Sequence, residues 1–125
     1  MFFAYDDSIQ MFLRSSLKQV NYFQKAHWKT IAQIAFSMQY RKYEEGSQLY
    51  SQGNPCNKME IILQGMVEIS MIYDNQVTVI ERLGIGSVLN PFNFIAEEYL
   101  QVNFTVASTQ AVVYEIDKEA FFRII

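Results

Sequence analysis

Few residues in this chain have a type and spacing suited to chemistry. His27 is the sole histidine and stands beside Trp28, with no nucleophile or second ligand at a catalytic or metal-binding spacing, so it reads as a surface residue. Cys56, the sole cysteine, lies in a turn between Pro55 and Asn57, and no base stands near it in sequence to activate it. Glu44-Glu45 and Glu97-Glu98 are adjacent pairs of the kind that line solvated faces, without the defined separation of an acid and a base. There is no phosphate-binding loop and no dinucleotide-type glycine motif. The polar stretch from Ser87 to Asn103 remains as the place for a ligand. Its Asn90-Pro91 step suits a helix start, with Asn as the capping residue and Pro in the first turn. Phe92, Phe94 and Ile95 on that helix are expected in the core. The expectation is a protein that is not an enzyme and has no catalytic residue and no metal.

The elements that would hold such a stretch follow from periodicity. Between residues 8 and 38, Ile9, Phe12, Leu13, Leu17, Val20 and Phe23 form one helical stripe and Trp28, Ile31, Ile34, Ala35 and Met38 a second. This predicts two short amphipathic helices, the first capped by Ser8, with their joint at residues 21–24. After Met38, turn residues punctuate the chain at Glu45-Gly46, Gly53-Asn54-Pro55, Gln64-Gly65, Asp74-Asn75 and Gly84-Ile85-Gly86. Val67, Ile69, Met71 and Tyr73 alternate with Glu68, Ser70 and Ile72, as on a half-buried strand, and Asp74-Asn75 turns it into a hairpin with residues 77–83. Residues 104–107 and 111–116 are expected to form a further strand pair, and residues 118–125 a short helix. The order predicts a mainly β fold with flanking α: an antiparallel β-roll or jelly roll of about eight short strands, N-terminal helices and a short C-terminal helix. One domain of residues 1–125 is expected, divided into a helical part (1–38), the roll (39–117) and the start of a C-terminal helix (118–125).

Composition narrows the partners. Half of the residues are hydrophobic, far more than a disordered chain carries. No apolar run reaches the roughly 18 residues that span a bilayer, and the opening Met-Phe-Phe-Ala-Tyr lacks the basic start of a secretion signal. With one cysteine and no disulfide framework, the expected location is the cytoplasm, or the cytosolic face of a membrane protein. The first 50 residues carry six basic side chains against four acidic, and residues 51–125 carry four basic against nine acidic. No dense basic stripe is present to neutralise phosphates, so nucleic acid is not expected as a partner.

The ordered glycines and strand motifs carry a resemblance. They comprise Tyr43-Glu-Glu-Gly46-Ser-Gln-Leu49, Gln52-Gly53-Asn54-Pro55, Met59-Glu-Ile-Ile-Leu-Gln-Gly65-Met-Val67-Glu-Ile69, Leu83-Gly84-Ile85-Gly86 and Ile116-Asp117 with Phe121. On these motifs residues 38–125 resemble the cyclic nucleotide-binding domain family. The resemblance implies a regulatory domain of a larger signalling protein such as an ion channel, a kinase subunit or an exchange factor. Its ligand would be cyclic AMP or cyclic GMP, and its partner the remainder of that protein or an effector. Phe2, Phe3 and Tyr5 with the leading helices would pack on that partner.

The resemblance also implies a phosphate cassette after the Gly84-Ile85-Gly86 turn. In the family a Gly-Glu pair opens a small helix there, the Glu meeting the ribose, and a later Arg pairs with the cyclic phosphate. Here Leu89 and Asn90 stand where the pair belongs. Gln101 occupies the Arg position counted back from Ala107, or Val102 with a one-residue slip. The candidate ligand-contacting residues are therefore Ser87, Val88, Leu89, Asn90, Gln101, Val102 and Asn103. No basic residue lies between Arg82 and Lys118. Losing an Arg–phosphate fork removes two charge-assisted bonds of roughly 1.5–3 kcal/mol each, on the order of 10²–10⁴ in affinity. Tight binding of either cyclic nucleotide is not expected, and the alternative is a ligand-independent interaction or assembly module on the same fold.

Overall fold

The computed structural model describes residues 6–125. The aromatic residues Phe2, Phe3 and Tyr5, expected to pack on a partner, lie outside the described residues. Helix α1 (Asp7–Lys18) buries Ile9, Leu13 and Leu17, one residue per turn, and α2 (Trp28–Ser37) buries Ile31, Ile34 and Ala35. A 3₁₀ turn at Asn21–Phe23 joins them and drives Phe23 into the core. The cap of α1 is Asp6, not Ser8: its Oδ1 accepts from the amides of Ser8 (2.9 Å) and Ile9 (3.3 Å). A carboxylate at a helix start satisfies free amides and also complements the helix dipole. His27 caps α2 through Nδ1, which accepts from the Lys29 amide at 3.1 Å. Trp28 is not part of the buried stripe; it is 67% exposed, in the first turn of the helix.

Eight strands follow: β1 (Gln39–Glu44), β2 (Gln48–Tyr50), β3 (Lys58–Gln64), β4 (Val67–Tyr73), β5 (Gln76–Leu83), β6 (Val88–Leu89), β7 (Asn103–Val106) and β8 (Gln110–Asp117). They form two antiparallel sheets in the orders β1-β8-β3-β6 and β2-β7-β4-β5. A five-residue helix α3 (Pro91–Ile95) sits between β6 and β7, and α4 (Lys118–Ile124) follows β8 with Asp117 as its cap. Strands β7 and β8 do not pair with each other as the sequence suggested. The chain changes sheets between them, β7 pairing with β2 and β4 and β8 with β1 and β3. Each is therefore an interior strand of its sheet, and β8 buries four consecutive residues, Ala111, Val112, Val113 and Tyr114.

The Asp74-Asn75 hairpin forms as expected, with both residues at positive φ. The alternation along β4 does not hold. Val67 and Ser70 are buried, whereas Met71, Ile72 and Tyr73 are all exposed. A register shift between Ile69 and Ser70 places an extra residue, Ile80, on the partner strand β5, and beyond it the side chains of both hairpin strands are exposed. The Gln52 side chain clasps the end of β4: Oε1 accepts from the Ile72 amide (2.9 Å) and Nε2 donates to the Ile72 carbonyl (3.2 Å). At the other end of β4, Gly65 (φ +94°) lies so close to β8 that an added Cβ would stand 2.5 Å from the Gln110 carbonyl oxygen.

The core joins helices to roll through aromatic contacts. Phe121 of α4 meets Phe23 at 6.0 Å and Phe94 of α3 at 5.0 Å, both edge-on. No helix among the described residues is long and apolar enough to cross a membrane.

Candidate functional site

The segment expected to hold a ligand begins at the Gly84–Gly86 turn. The Gly86 amide donates to the Ile62 carbonyl (2.8 Å), and the Ser87 carbonyl accepts from the Ile62 amide (3.0 Å). Ser87 is thereby fixed beside β3. Val88 pairs with Ile61 and Leu89 with Glu60, and Leu89 is fully buried in the core. Asn90 then adopts a left-handed conformation (φ 56°, ψ 39°), and Pro91 opens α3. Asn90 holds the cap position, but its side chain makes no capping bond; its Nδ2 is buried without a partner. The residue is there because Asn tolerates left-handed backbone. Phe94 is core and Ile95 packs against it, but Phe92 faces outward, 72% exposed.

Helix α3 ends in a reverse turn at Glu97 (φ +57°), where the Glu98 amide donates to the Asn93 carbonyl (2.9 Å). The returning chain is sewn to the 53–55 loop: Gly53 donates to the Leu100 carbonyl (2.8 Å) and Leu100 to the Asn54 carbonyl (2.9 Å). Gln101 is exposed, and Val102 packs on the core. Asn103 is buried, and its Oδ1 accepts from Gln48 Nε2 (2.8 Å) and from the Gln52 amide (2.7 Å). Lys118, the first basic residue after the segment, pairs with Glu97 at 3.4 Å. Of the seven candidates, Ser87 precedes β6, Val88 and Leu89 form it, Asn90 follows, and Gln101 and Val102 lead into β7, which Asn103 begins. Ser87, Val88, Leu89, Val102 and Asn103 each make contacts that hold the fold together.

A second polar assembly was not anticipated from the sequence. Inside the roll, Glu60 is fully buried, and neither carboxyl oxygen accepts a hydrogen bond. Its cross-strand neighbour is Glu115. Lys58 Nζ stands 3.6 Å from Glu60 Oε2 and 3.8 Å from Glu115 Oε1, and it donates to the Tyr43 hydroxyl at 3.2 Å. That hydroxyl donates to Glu115 Oε1 (2.9 Å), and Arg41 lies 3.7 Å from the other Glu115 oxygen. The Lys58 ammonium also lies 5.6 Å over the ring of Tyr50, whose hydroxyl is buried beside Glu60. Burial pushes the Glu60 carboxyl up to about 8, against the attraction of Lys58. A single acidic residue within the apolar run Met59-Glu60-Ile61-Ile62-Leu63 was the available signal. Among the described residues no group of three His, Cys, Asp or Glu is placed to hold a metal ion.

Known proteins give this geometry its context. A model of the family described as cyclic nucleotide-binding domain matches residues 40–125. None of the curated proteins compared with the chain matches it. Among solved structures, the regulatory domain of Toxoplasma gondii PKA with cAMP superposes with TM-score 0.84 at 19% identity, over 96% of this chain and 46% of that one. A regulatory subunit of a cAMP-independent protein kinase A from Trypanosoma cruzi, bound to guanosine, gives TM-score 0.80 at 17% identity, over 99% of this chain and 43% of that one. A cyclic nucleotide-binding-like protein from Brucella abortus gives TM-score 0.77 at 22% identity, over 90% of this chain and 96% of its own. The chain spans less than half the length of the two kinase regulatory chains.

Proposed function

As this chain belongs to the cyclic nucleotide-binding domain family, we propose that it is the regulatory domain of a larger cytosolic signalling protein whose pocket no longer grips a cyclic phosphate. The family is regulatory rather than catalytic, and on this reading residues 1–125 act as one regulatory unit without enzymatic activity of their own. The observation that carries the reading is the use made of the cassette. Leu89, at the first position of the expected Gly-Glu pair, is a fully buried core residue. Gln101, at the Arg position, is a neutral side chain on the surface. Asn103 already spends its side-chain oxygen on Gln48 and Gln52. The residues present do not fit a cyclic phosphate: Glu97 and Glu98 are the charges on the segment, and Lys118 is paired with Glu97. Ser87, Val88, Leu89, Asn90, Gln101, Val102 and Asn103 remain the proposed wall of whatever the domain reads.

A ligand-independent interaction module is the second reading. The exposed apolar side chains of the β4–β5 hairpin, Met71, Ile72, Tyr73, Val77, Val79 and Ile80, favour it. Isothermal titration at low salt tests both readings, with cyclic AMP, cyclic GMP and the uncharged nucleoside guanosine as titrants. The expected result is cyclic nucleotide binding weaker by about 10²–10⁴ than an Arg-bearing pocket gives. Micromolar affinity for either cyclic nucleotide overturns the degenerate-pocket reading. Heat with guanosine alone keeps a ligand-reading domain and moves recognition to the base and ribose. Silence with all three favours the interaction module.

A further inference from the structure

We propose that the interior of the roll is a proton-binding site built on Glu60, which holds a proton in the folded domain and releases it to solvent in mildly alkaline medium. The inference rests on the polar assembly between the sheets and is independent of what the cassette binds.

The groups facing Glu60 come from every element around it. Lys58 lies two residues away on β3, Glu115 opposite on β8, Tyr43 on β1 and Tyr50 on β2, with Cys56 in the loop before β3. Leu89, its partner on β6, offers only an apolar side chain. The one ammonium within reach is shared. Lys58 is nearly equidistant from both carboxyls, and it spends a hydrogen bond on Tyr43. Glu115 is better provided: it takes the Tyr43 hydroxyl and the Arg41 guanidinium and keeps some exposure to water. Glu60, shut off from water with only the Tyr50 hydroxyl and the shared Lys58 ammonium near it, is the one that keeps its proton.

Release of that proton leaves a carboxylate beside Lys58, which must then pair with it more closely and loosen its hold on Tyr43 and Glu115. Tyr50 and Lys58 also line a cavity of about 170 Å³ together with Asn54 and Leu100, the two residues that sew the cassette to the 53–55 loop. The protonation state thus sets the charge facing the wall on which the end of the cassette rests.

Carbon-13 NMR of the 125-residue chain with labelled glutamate carboxyls tests the proposal on the wild-type fold. Glu60 is assigned through its own backbone resonances, and Glu60→Gln serves as a check. The expected result is one glutamate titrating two or more pH units above the rest, toward the burial-raised value near 8. Titration of Glu60 with the other glutamates, below about pH 5, overturns the proposal. A second readout is the urea midpoint between about pH 5 and pH 8, which should fall in the wild type and stay level in Glu60→Gln. A level wild-type profile overturns the proposal even where the variant fails to fold.

Discussion

Asn103 joins two loops through one oxygen atom. Its Oδ1 receives both the Gln48 side chain and the Gln52 amide, and Gln52 in turn clasps the end of β4. Asn103→Ala leaves the Gln52 amide without its acceptor, so a loss of about 1–3 kcal/mol is expected in urea unfolding. Leu89→Ala, a cavity in the core at the first residue of the expected Gly-Glu pair, should cost roughly 2–5 kcal/mol. Gln101→Arg, at an exposed site, should leave stability within about 0.5 kcal/mol of wild type. At this scale the sequence was legible in part. Leu89, Asn90 and Gln101 stood out because they replaced expected types, and Pro91 opens its helix as its fixed φ suggests. The role of Asn90 was not legible, since Asn is equally suited to a helix cap and to left-handed backbone, and only tertiary position separates the two. Nor was the Lys58–Glu60–Glu115 assembly, in which strand register brings Glu115 to a residue 55 positions earlier in sequence.

Among the elements, the turn after β3 is the least forgiving. Gly65 combines positive φ with a Cβ position filled by the Gln110 carbonyl and the Ala111 Cα. Gly65→Ala therefore forces β3 and β8 apart, and a loss of more than about 2 kcal/mol is expected in thermal or urea unfolding. The β4–β5 hairpin is the contrast: Val77 is 65% exposed on an edge strand, and Val77→Thr should change stability by less than about 0.5 kcal/mol. Strand existence followed from turn residues and β-branched runs, and the helices followed from their stripes. Two features did not. The exposure of Met71 and Tyr73 carries no compositional mark, because a period-two pattern predicts a face and not how far along the strand that face is covered. The change of sheets between β7 and β8 is a matter of pairing partners, which local pattern does not specify.

The molecule as a whole should weaken as the medium becomes alkaline. A carboxyl raised in the folded state from 4.5 to about 8 binds a proton that the unfolded chain has lost. Its contribution is therefore complete below the unfolded value and declines through that window by about 1.4 kcal/mol per pH unit at most. Burial likewise raises the Cys56 thiol and, more strongly, the Tyr50 hydroxyl, which extends the decline to higher pH. Thermal midpoints across this range, compared between wild type and Glu60→Gln, measure the share that belongs to one carboxyl. The strand order has a consequence in time. Strand β8 lies between β1 and β3, yet of these eight strands it is the one the ribosome delivers last. Until it emerges, β1 has no partner and β3 has only the two residues of β6, so the first sheet cannot close as synthesis proceeds. The second sheet is complete once β7 is out, and it must wait with one face uncovered. Newborn chains stalled before residue 110 should therefore expose unpaired edges of β1 and β3.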